Sequence, residues 1–294
     1  MIDILIHIMP SEIDQLEQTL IHLKKSSKYI NDSKSKFTVE VCLNLNLVDW
    51  NKSKLDKNFF LTKLNFYEKF TSSWATTRFW ASHSNEVLGC TDLHRRAGDL
   101  YSPDAFIWLD VDIVFSESLL YHITEAYNQL ITHERYFVIT PSTTRIWDET
   151  WDCLVHPLAM NEAATHANYF ERDPYLTTGL MGDTIQLKKI NQFKFASGWF
   201  NLLSKELIKK IRIPEAMGPY YMDDTYIMYC CMYGSQKNFI ASQYLIDNEV
   251  IIENNKFRYN PYKEYIVGID KKEEYIQRAK LNFEPSVVQF LNTL

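Results

Sequence analysis

Little in this 294-residue sequence belongs to the classes of protein that composition alone gives away. The five cysteines (Cys42, Cys90, Cys153, Cys230, Cys231) are odd in number and scattered, with no Cys-x-x-Cys pair. They signal neither a disulfide framework nor a zinc site, which is the pattern of a reduced, cytoplasmic protein. Eight glycines and nine prolines exclude collagen-like and low-complexity chains. No stretch reaches the roughly 18 apolar residues that a membrane-spanning helix needs. The N-terminus, MIDILIHIMP, has an acid at Asp3 and no basic lead, so it reads as a strand and not as a signal peptide. Basic charge is also short: 31 Lys and Arg against 37 Asp and Glu give a net charge of −6. That argues against a protein that wraps nucleic acid, because neutralising phosphates takes clustered cations.

Aromatic residues, by contrast, are plentiful at 14%. They suit a core, and also a groove for sugar rings. Strand and helix signals alternate from the first residue. Ile2–Ile8 is a short apolar run closed by Pro10-Ser11, and Ile13, Leu16, Leu20 and Leu23 then follow at helical spacing. Residues 37–47 alternate as a second strand, and residues 51–100 read as mostly helical, with Phe59, Phe60, Phe66, Phe70, Trp74, Phe79 and Trp80 on an aromatic face. Ala105–Leu109 is an apolar run ending in acid, a helix is expected near residues 118–131, and residues 136–140 form a strand stopped by Pro141. This repetition predicts an α/β sandwich with a mostly parallel central sheet. The tail, residues 271–294, reads as one or two helices that pack on the domain or a partner, or dock peripherally on a membrane. Nothing in the pattern sets an oligomeric state.

Three segments carry chemistry. Asp110-Val111-Asp112 leaves a buried strand where ligands of parallel sheets bind, and two carboxylates there can reach one hard cation, Mn²⁺ or Mg²⁺. A solvated strand end is the plainer reading. Asp223-Asp224, after Pro214 and Pro219, is either a helix N-cap with its first-turn acid or a base aimed into a cleft. Ser197-Gly198-Trp199-Phe200 is a small-residue turn carrying an indole, which suits a ligand face or a core Trp equally. Arg95-Arg96, before the Asp-x-Asp segment, is a solvated pair or a diphosphate contact. All eight histidines fall at or before His166, with no two at metal-ligand spacing on one helix face.

Taken in chain order, from the first strand through Arg95-Arg96, Asp110-Val111-Asp112 and Ser197-Gly198-Trp199-Phe200 to Asp223-Asp224, the segments resemble a GT-A-fold glycosyltransferase over roughly residues 1–250. The resemblance implies a GT-A-like α/β/α sandwich over residues 1–255, with a nucleotide-sugar half (1–115), an acceptor half (116–255) and a helical extension (256–294). It implies a nucleotide-diphosphate sugar as donor, a UDP-sugar foremost, and a glycan or lipid-linked hydroxyl as acceptor. Pro10, Arg95 and Asp110 would meet the donor, with Asp110 and Asp112 holding Mn²⁺ or Mg²⁺. Gly198 and Trp199 would face sugar and acceptor, and Asp224 or Asp223 would be the base. The usual C-terminal metal-binding His has no counterpart here, and Asp247, Asn248 or Glu249 are the substitutes at hand. Two other readings use the same residues. In a haloacid-dehalogenase-like phosphatase Asp110 would be the nucleophile and Asp112 the acid, with Thr140 or Ser142 and Lys188 or Lys189 in support. In a template-copying polymerase Tyr221-Met222-Asp223-Asp224 would form the catalytic hairpin. A sugar-binding relative without activity completes the set.

Overall fold

The computed structural model describes residues 1–45, 56–82, 89–100, 102–111, 113–146, 184–190, 200–254 and 269–294. Asp112, Gly198 and Trp199 lie outside them. In chain order the elements are β1 (Ile2–Ile8), α1 (Ile13–Ser27), α2 (Ser33–Lys36), β2 (Phe37–Asn44), α3 (Lys57–Thr71), β3 (Thr76–Ser82), α4 (Cys90–Ala97), β4 (Ala105–Leu109) and β5 (Ile113–Phe115). Then come α5 (Leu119–Leu130), β6 (Phe137–Ile146), β7 (Leu187–Ile190), β8 (Phe200–Ser204), α6 (Lys205–Ile211), α7 (Asp223–Gly234), β9 (Ser242–Asn254) and α8 (Ile269–Asn292).

The strands form one mixed sheet in the order β3-β2-β1-β4-β8-β6-β9-β5, with β7 also pairing β9. β1 is parallel to β2 and β4, β2 to β3, and β6 to β9, while β8, β5 and β7 run the other way. The sheet is therefore mostly parallel in direction, as expected. Because β8 returns between β4 and β6, the two halves read from the sequence share one continuous sheet.

Side chains alternate across each strand, and this builds two cores. Ile4, Ile6 and Ile8 of β1 and Ile107 and Leu109 of β4 face α1, α3 and α5 through Leu16, Leu20, Phe60, Leu64 and Ile123. Leu5, Phe106, Trp108 and Leu203 face the other way, onto Leu93 of α4, Leu207 of α6, Tyr226 and Ile227 of α7 and Val287 and Phe290 of α8. Strands sealed on both faces explain the unbroken apolar run of β4 and the nearly continuous one of β1, interrupted by Asp3 and His7. The C-terminal helix is thus part of the second core, and among the described residues no helix is long and apolar enough to cross a membrane.

Two expectations need correction. The stretch 51–100 holds a strand, β3, at Thr76–Ser82; Thr76 and Thr77 favour extended backbone, and pairing with β2 at the sheet's end overrides the aromatic helical spacing. Pro141 does not stop β6, which runs on to Ile146. The register with β9 shifts between Pro141 and Ser142, and a bulge is a place where a proline without an N–H is tolerated. The tail, expected as one or two helices, is a single helix that carries Pro285 inside it.

Candidate active site at the sheet edge

The carboxyl ends of β1 and β4 lie side by side, since Ile2 of β1 is in register with Ala105 of β4. β1 runs into a tight 3-10 turn at Pro10–Glu12, in which the Met9 N–H donates to Glu12 Oε2 at 2.7 Å. β4 delivers Asp110, exposed, directly after Leu109. The turn after it is pinned from behind: Thr19 of α1 donates its hydroxyl to the Val111 carbonyl, and His22 Nδ1 lies 3.1 Å from the Phe115 carbonyl oxygen. Leu109 pairs with Phe200, the first residue of β8.

The acidic pair comes from α7. Asp223 and Asp224 are both in its first turn, with Met222 and not Asp223 as N-cap, in an orientation where the helix dipole favours negative charge. The residues leading in are bent: Gly218, Tyr221 and Met222 have φ of +83°, +88° and +64°. No hairpin forms here, as the polymerase reading needs; Asp223 opens a helix. Asp223 is 7% exposed, and its carboxylate meets His94 Nδ1 of α4. The His94 ring stacks on Trp108 of β4, centroids 4.0 Å apart and planes 5° from parallel.

These surroundings separate the two acids. Burial alone would raise the Asp223 carboxyl, but the charge and hydrogen bond of His94 outweigh it and hold the group below the usual range. Asp224 is partly buried and takes hydrogen bonds at Oδ1 from the Thr225 N–H (2.6 Å) and Thr225 Oγ1 (3.2 Å). Burial first, and then the neighbouring Asp223 charge, push it from 3.8 up to about 7.

Two guanidinium groups hold the segment ahead of the pair. Arg95 of α4 donates to the carbonyls of Ile213 (3.1 Å), Pro214 (3.1 Å) and Gly218 (2.8 Å), and pairs with Asp92. Arg278 of α8 donates to the carbonyls of Ala216 (3.1 Å) and Glu215 (3.0 Å). Gly89, just before α4, touches the same segment: a Cβ there would lie 1.8 Å from the Pro219 carbonyl oxygen.

Tyr220 shows how far the groups converge. Its phenol is raised by burial and then by the charges of Cys90, Asp110, Glu12 and Asp223. The Cys90 thiol is raised by burial and then by Asp223 and Asp110, so it stays protonated. The ends of β1 and β4, the start of α4 and the start of α7 therefore lie close together as one acidic cluster. Of the residues named from the sequence, Asp110, Asp223 and Asp224 converge there, Pro10 begins the turn beside it, and Arg95 braces the wall behind. His94, Glu12, Cys90 and Tyr220 were missed. For His94 the only signal was its place directly before Arg95-Arg96.

Asp110, the described carboxylate at the exposed end of β4, is a donor of the kind a hard divalent cation takes. Carboxylate oxygen is the donor that Mn²⁺ and Mg²⁺ prefer, and a cation held by few protein oxygens completes its shell from phosphate and water. Among the described residues no three His, Cys, Asp or Glu groups gather into a cage of their own. Glu249 does not serve as a substitute ligand. It is fully buried and accepts from Ser116, Ser118 (2.5 Å) and His122 Nδ1 (2.5 Å). The Asn248 side chain is taken up by the Gln186 N–H (3.1 Å) and the Thr184 carbonyl (3.4 Å). Of the phosphatase supports, Thr140 donates to Asn201 (3.1 Å) and Lys189 pairs with Glu134 (3.0 Å).

No protein-family model matches the chain, and no curated protein does. Solved structures do. A crystal structure of GalNAc-T7 with UDP, GalNAc and Mn²⁺ superposes with a TM-score of 0.52 at 9% identity, over 86% of this chain and 43% of that one. The mannosyltransferase PcManGT from Pyrobaculum calidifontis, in complex with GDP-Man and Mn²⁺, gives a TM-score of 0.52 at 12% identity, over 88% of this chain and 58% of that one. The chain thus spans about half the length of the solved structures it matches. With a parallel β3-β2-β1-β4 half continued through the antiparallel β8, and a site at the ends of β1 and β4, the chain has the GT-A-type fold of glycosyltransferases.

Proposed function

We propose that the protein is a glycosyltransferase that moves a sugar from a nucleotide-diphosphate donor to a hydroxyl of a glycan or lipid-linked acceptor. The observation that carries this reading is the nearness of two acidic groups of opposite character at one end of the sheet. One is the exposed Asp110 at the end of β4; the other is the enclosed Asp223-Asp224 pair, whose second member is poised near neutrality.

Asp110 and Asp112 would hold Mn²⁺ or Mg²⁺, and the cation would supply Lewis-acid stabilisation of the departing nucleotide. Pro10 and the turn after β1 flank the nucleotide, and Gly198 and Trp199 flank the sugar and acceptor. Arg95 acts through the 213–218 segment that it braces. Asp224 is the base. Its pKa of about 7 lets it be ionised at working pH yet still take a proton, the condition under which general-base catalysis is most effective. With Oδ1 engaged by Thr225, Oδ2 receives the acceptor proton as the oxygen attacks the sugar. A base placed for direct attack implies inversion at the anomeric carbon. A UDP-sugar leads the donor candidates, nucleic acid is no partner, and a cytoplasmic setting with peripheral membrane contact fits a lipid-linked acceptor.

Calorimetry with UDP, GDP and CMP, each with Mn²⁺ and again with EDTA, tests the reading on wild type and Asp112→Ala. Metal-dependent binding of one nucleotide, lost in the variant, is the expected result. Absence of nucleotide binding with metal present refutes the reading and turns attention to phosphatase chemistry at Asp110.

A further inference from the structure

We infer that His94 is the positioning residue of the acidic pair: its Nδ1–H orients Asp223, and through Asp223 it sets the placement of Asp224. The inference rests on the glycosyltransferase reading and adds to it a residue that the Asp-x-Asp and acidic-pair motifs do not contain.

Three observations carry it. First, the imidazole is enclosed between two elements of the site. One face lies flat on Trp108, two residues before Asp110, and its Nδ1 is spent on Asp223. A flat stack leaves the ring little freedom to tilt, so the Nδ1–H direction is set by β4. Second, Asp223 is approached through Tyr221 and Met222, both in the left-handed region, and α7 has no side-chain cap from its N-cap residue. The helix start therefore draws its orientation from contacts outside itself. His94 reaches across from α4 to supply one, while Arg95, the next residue, holds the carbonyls just upstream. Third, Asp223 and Asp224 are consecutive, so a turn of the Asp223 carboxylate away from His94 rotates the first turn of α7 and carries Asp224 with it. A displacement of about 1 Å of a catalytic group is enough to cost on the order of 100-fold in rate.

The stack and the hydrogen bond can be separated by substitution. His94→Phe keeps a ring on Trp108 and removes the donor. His94→Asn removes the ring and keeps an N–H close to where Nδ1 sits, whereas His94→Gln moves the N–H toward the Nε2 position. Steady-state turnover of the nucleotide sugar whose nucleotide binds in calorimetry is the readout, with melting temperature measured alongside. His94→Phe is expected to lower kcat by about 10- to 100-fold while donor KM stays within about 2-fold, because Asp110 is untouched. His94→Asn is expected to recover most of that loss, and His94→Gln is not. A His94→Phe enzyme with wild-type kcat overturns the inference, as does a fall in donor affinity with kcat retained. If the Phe variant does not fold, the Asn and Gln pair decides, and equal activity in the two overturns it. A wild-type protein that turns over no UDP-, GDP- or CMP-sugar refutes the glycosyltransferase reading itself and this inference with it. That failure is distinct from an active wild type with an indifferent His94.

Discussion

Replacing Asp223 by Asn should shift the acid limb of the pH–rate profile downward. Asp224 stands at about 7 from two causes, burial and the Asp223 charge beside it. A raised carboxyl is protonated below its pKa, so a base with this value is lost as pH falls through 7 and gained as pH rises through it. At pH 6 only about a tenth of the enzyme carries ionised Asp224 in wild type. Asparagine removes the like charge and leaves the burial, so Asp224 drops while staying above 3.8. A fall of about one unit, modest for loss of an adjacent like charge, brings the ionised fraction at pH 6 to about one half. Relative to its own plateau, the variant is then about five times more active at pH 6 than wild type. The plateau itself is lower, because His94 then meets a neutral amide oxygen in place of the charged carboxylate. The assay is nucleoside diphosphate release over about pH 5 to 9, with Asp224→Asn as the reference for a lost base, about 10²- to 10⁴-fold down. An acid limb that stays in place or moves up in Asp223→Asn refutes the reasoning, and so does an Asp224→Asn enzyme within a few-fold of wild type.

Other substitutions probe the frame. Asp3 and Glu40 are buried on neighbouring strands and share Arg78, which also lies 3.2 Å from Glu40 Oε2 through its Nε. Arg78→Met leaves Asp3 without a counter-charge, while Glu40 keeps Arg96 at 3.1 Å. With Arg78 itself one-third exposed, the cost should be about 2–3 kcal/mol in urea unfolding at neutral pH, below the full penalty of a sealed pair. Asp3 is already raised by burial and rises further without Arg78, so the folded state takes up the proton first; the deficit should shrink on acidification, and one that grows in acid contradicts the account. Gly89→Ala must push back the Pro219 carbonyl, so it should cost about 1–3 kcal/mol and depress activity together; an unchanged melting temperature and rate would show that the approach is not close. Arg278→Ala, which loses two carbonyl contacts on the 215–216 turn, should lower kcat with nucleotide affinity intact, and the reverse split would place α8 at the donor instead.

The parts legible in the sequence are those governed by local pattern. β4 announces itself because a parallel strand sealed on both faces is apolar along its whole length, and β1 departs from that only at Asp3 and His7; an aspartate directly after the β4 run lies at the sheet edge. β3 was hidden because its side chains serve the sheet's end: Arg78 answers buried acids on two other strands, and Trp80 donates to Glu40 at 3.0 Å. Neither demand has a periodicity. The site divides the same way. Asp110 and Asp223-Asp224 stand in motifs, whereas His94 meets Asp223 across 129 positions of sequence. Its role comes from β4 lying next to β8 and from α4 and α7 covering one face, which only the folded sheet brings about.

The segment before α7 shows why so many residues are engaged there. Non-glycine residues in the left-handed region cost about 1–2 kcal/mol each, and Tyr221 and Met222 are consecutive. Such backbone persists only where its surroundings over-determine it. Here the surroundings are five carbonyls held by Arg95 and Arg278, the Gly89–Pro219 approach, and His94 on Asp223. Relaxing the strain tests whether it serves the acids. Tyr221→Gly removes a side chain that is 39% exposed, and glycine adopts a φ of +88° without strain. Relief of about 1–2 kcal/mol, less about 0.5–1 for the extra freedom of the unfolded chain, leaves a variant of equal or slightly greater stability. If the bend exists to aim Asp223 and Asp224, that variant keeps its activity, because the same φ is retained and the arginine and His94 contacts are untouched. Tyr221→Val, whose branched side chain resists positive φ, should lose both stability and kcat. A valine variant that is stable and fully active would mean that the bend is incidental to the chemistry and that the acids are aimed by the helix alone.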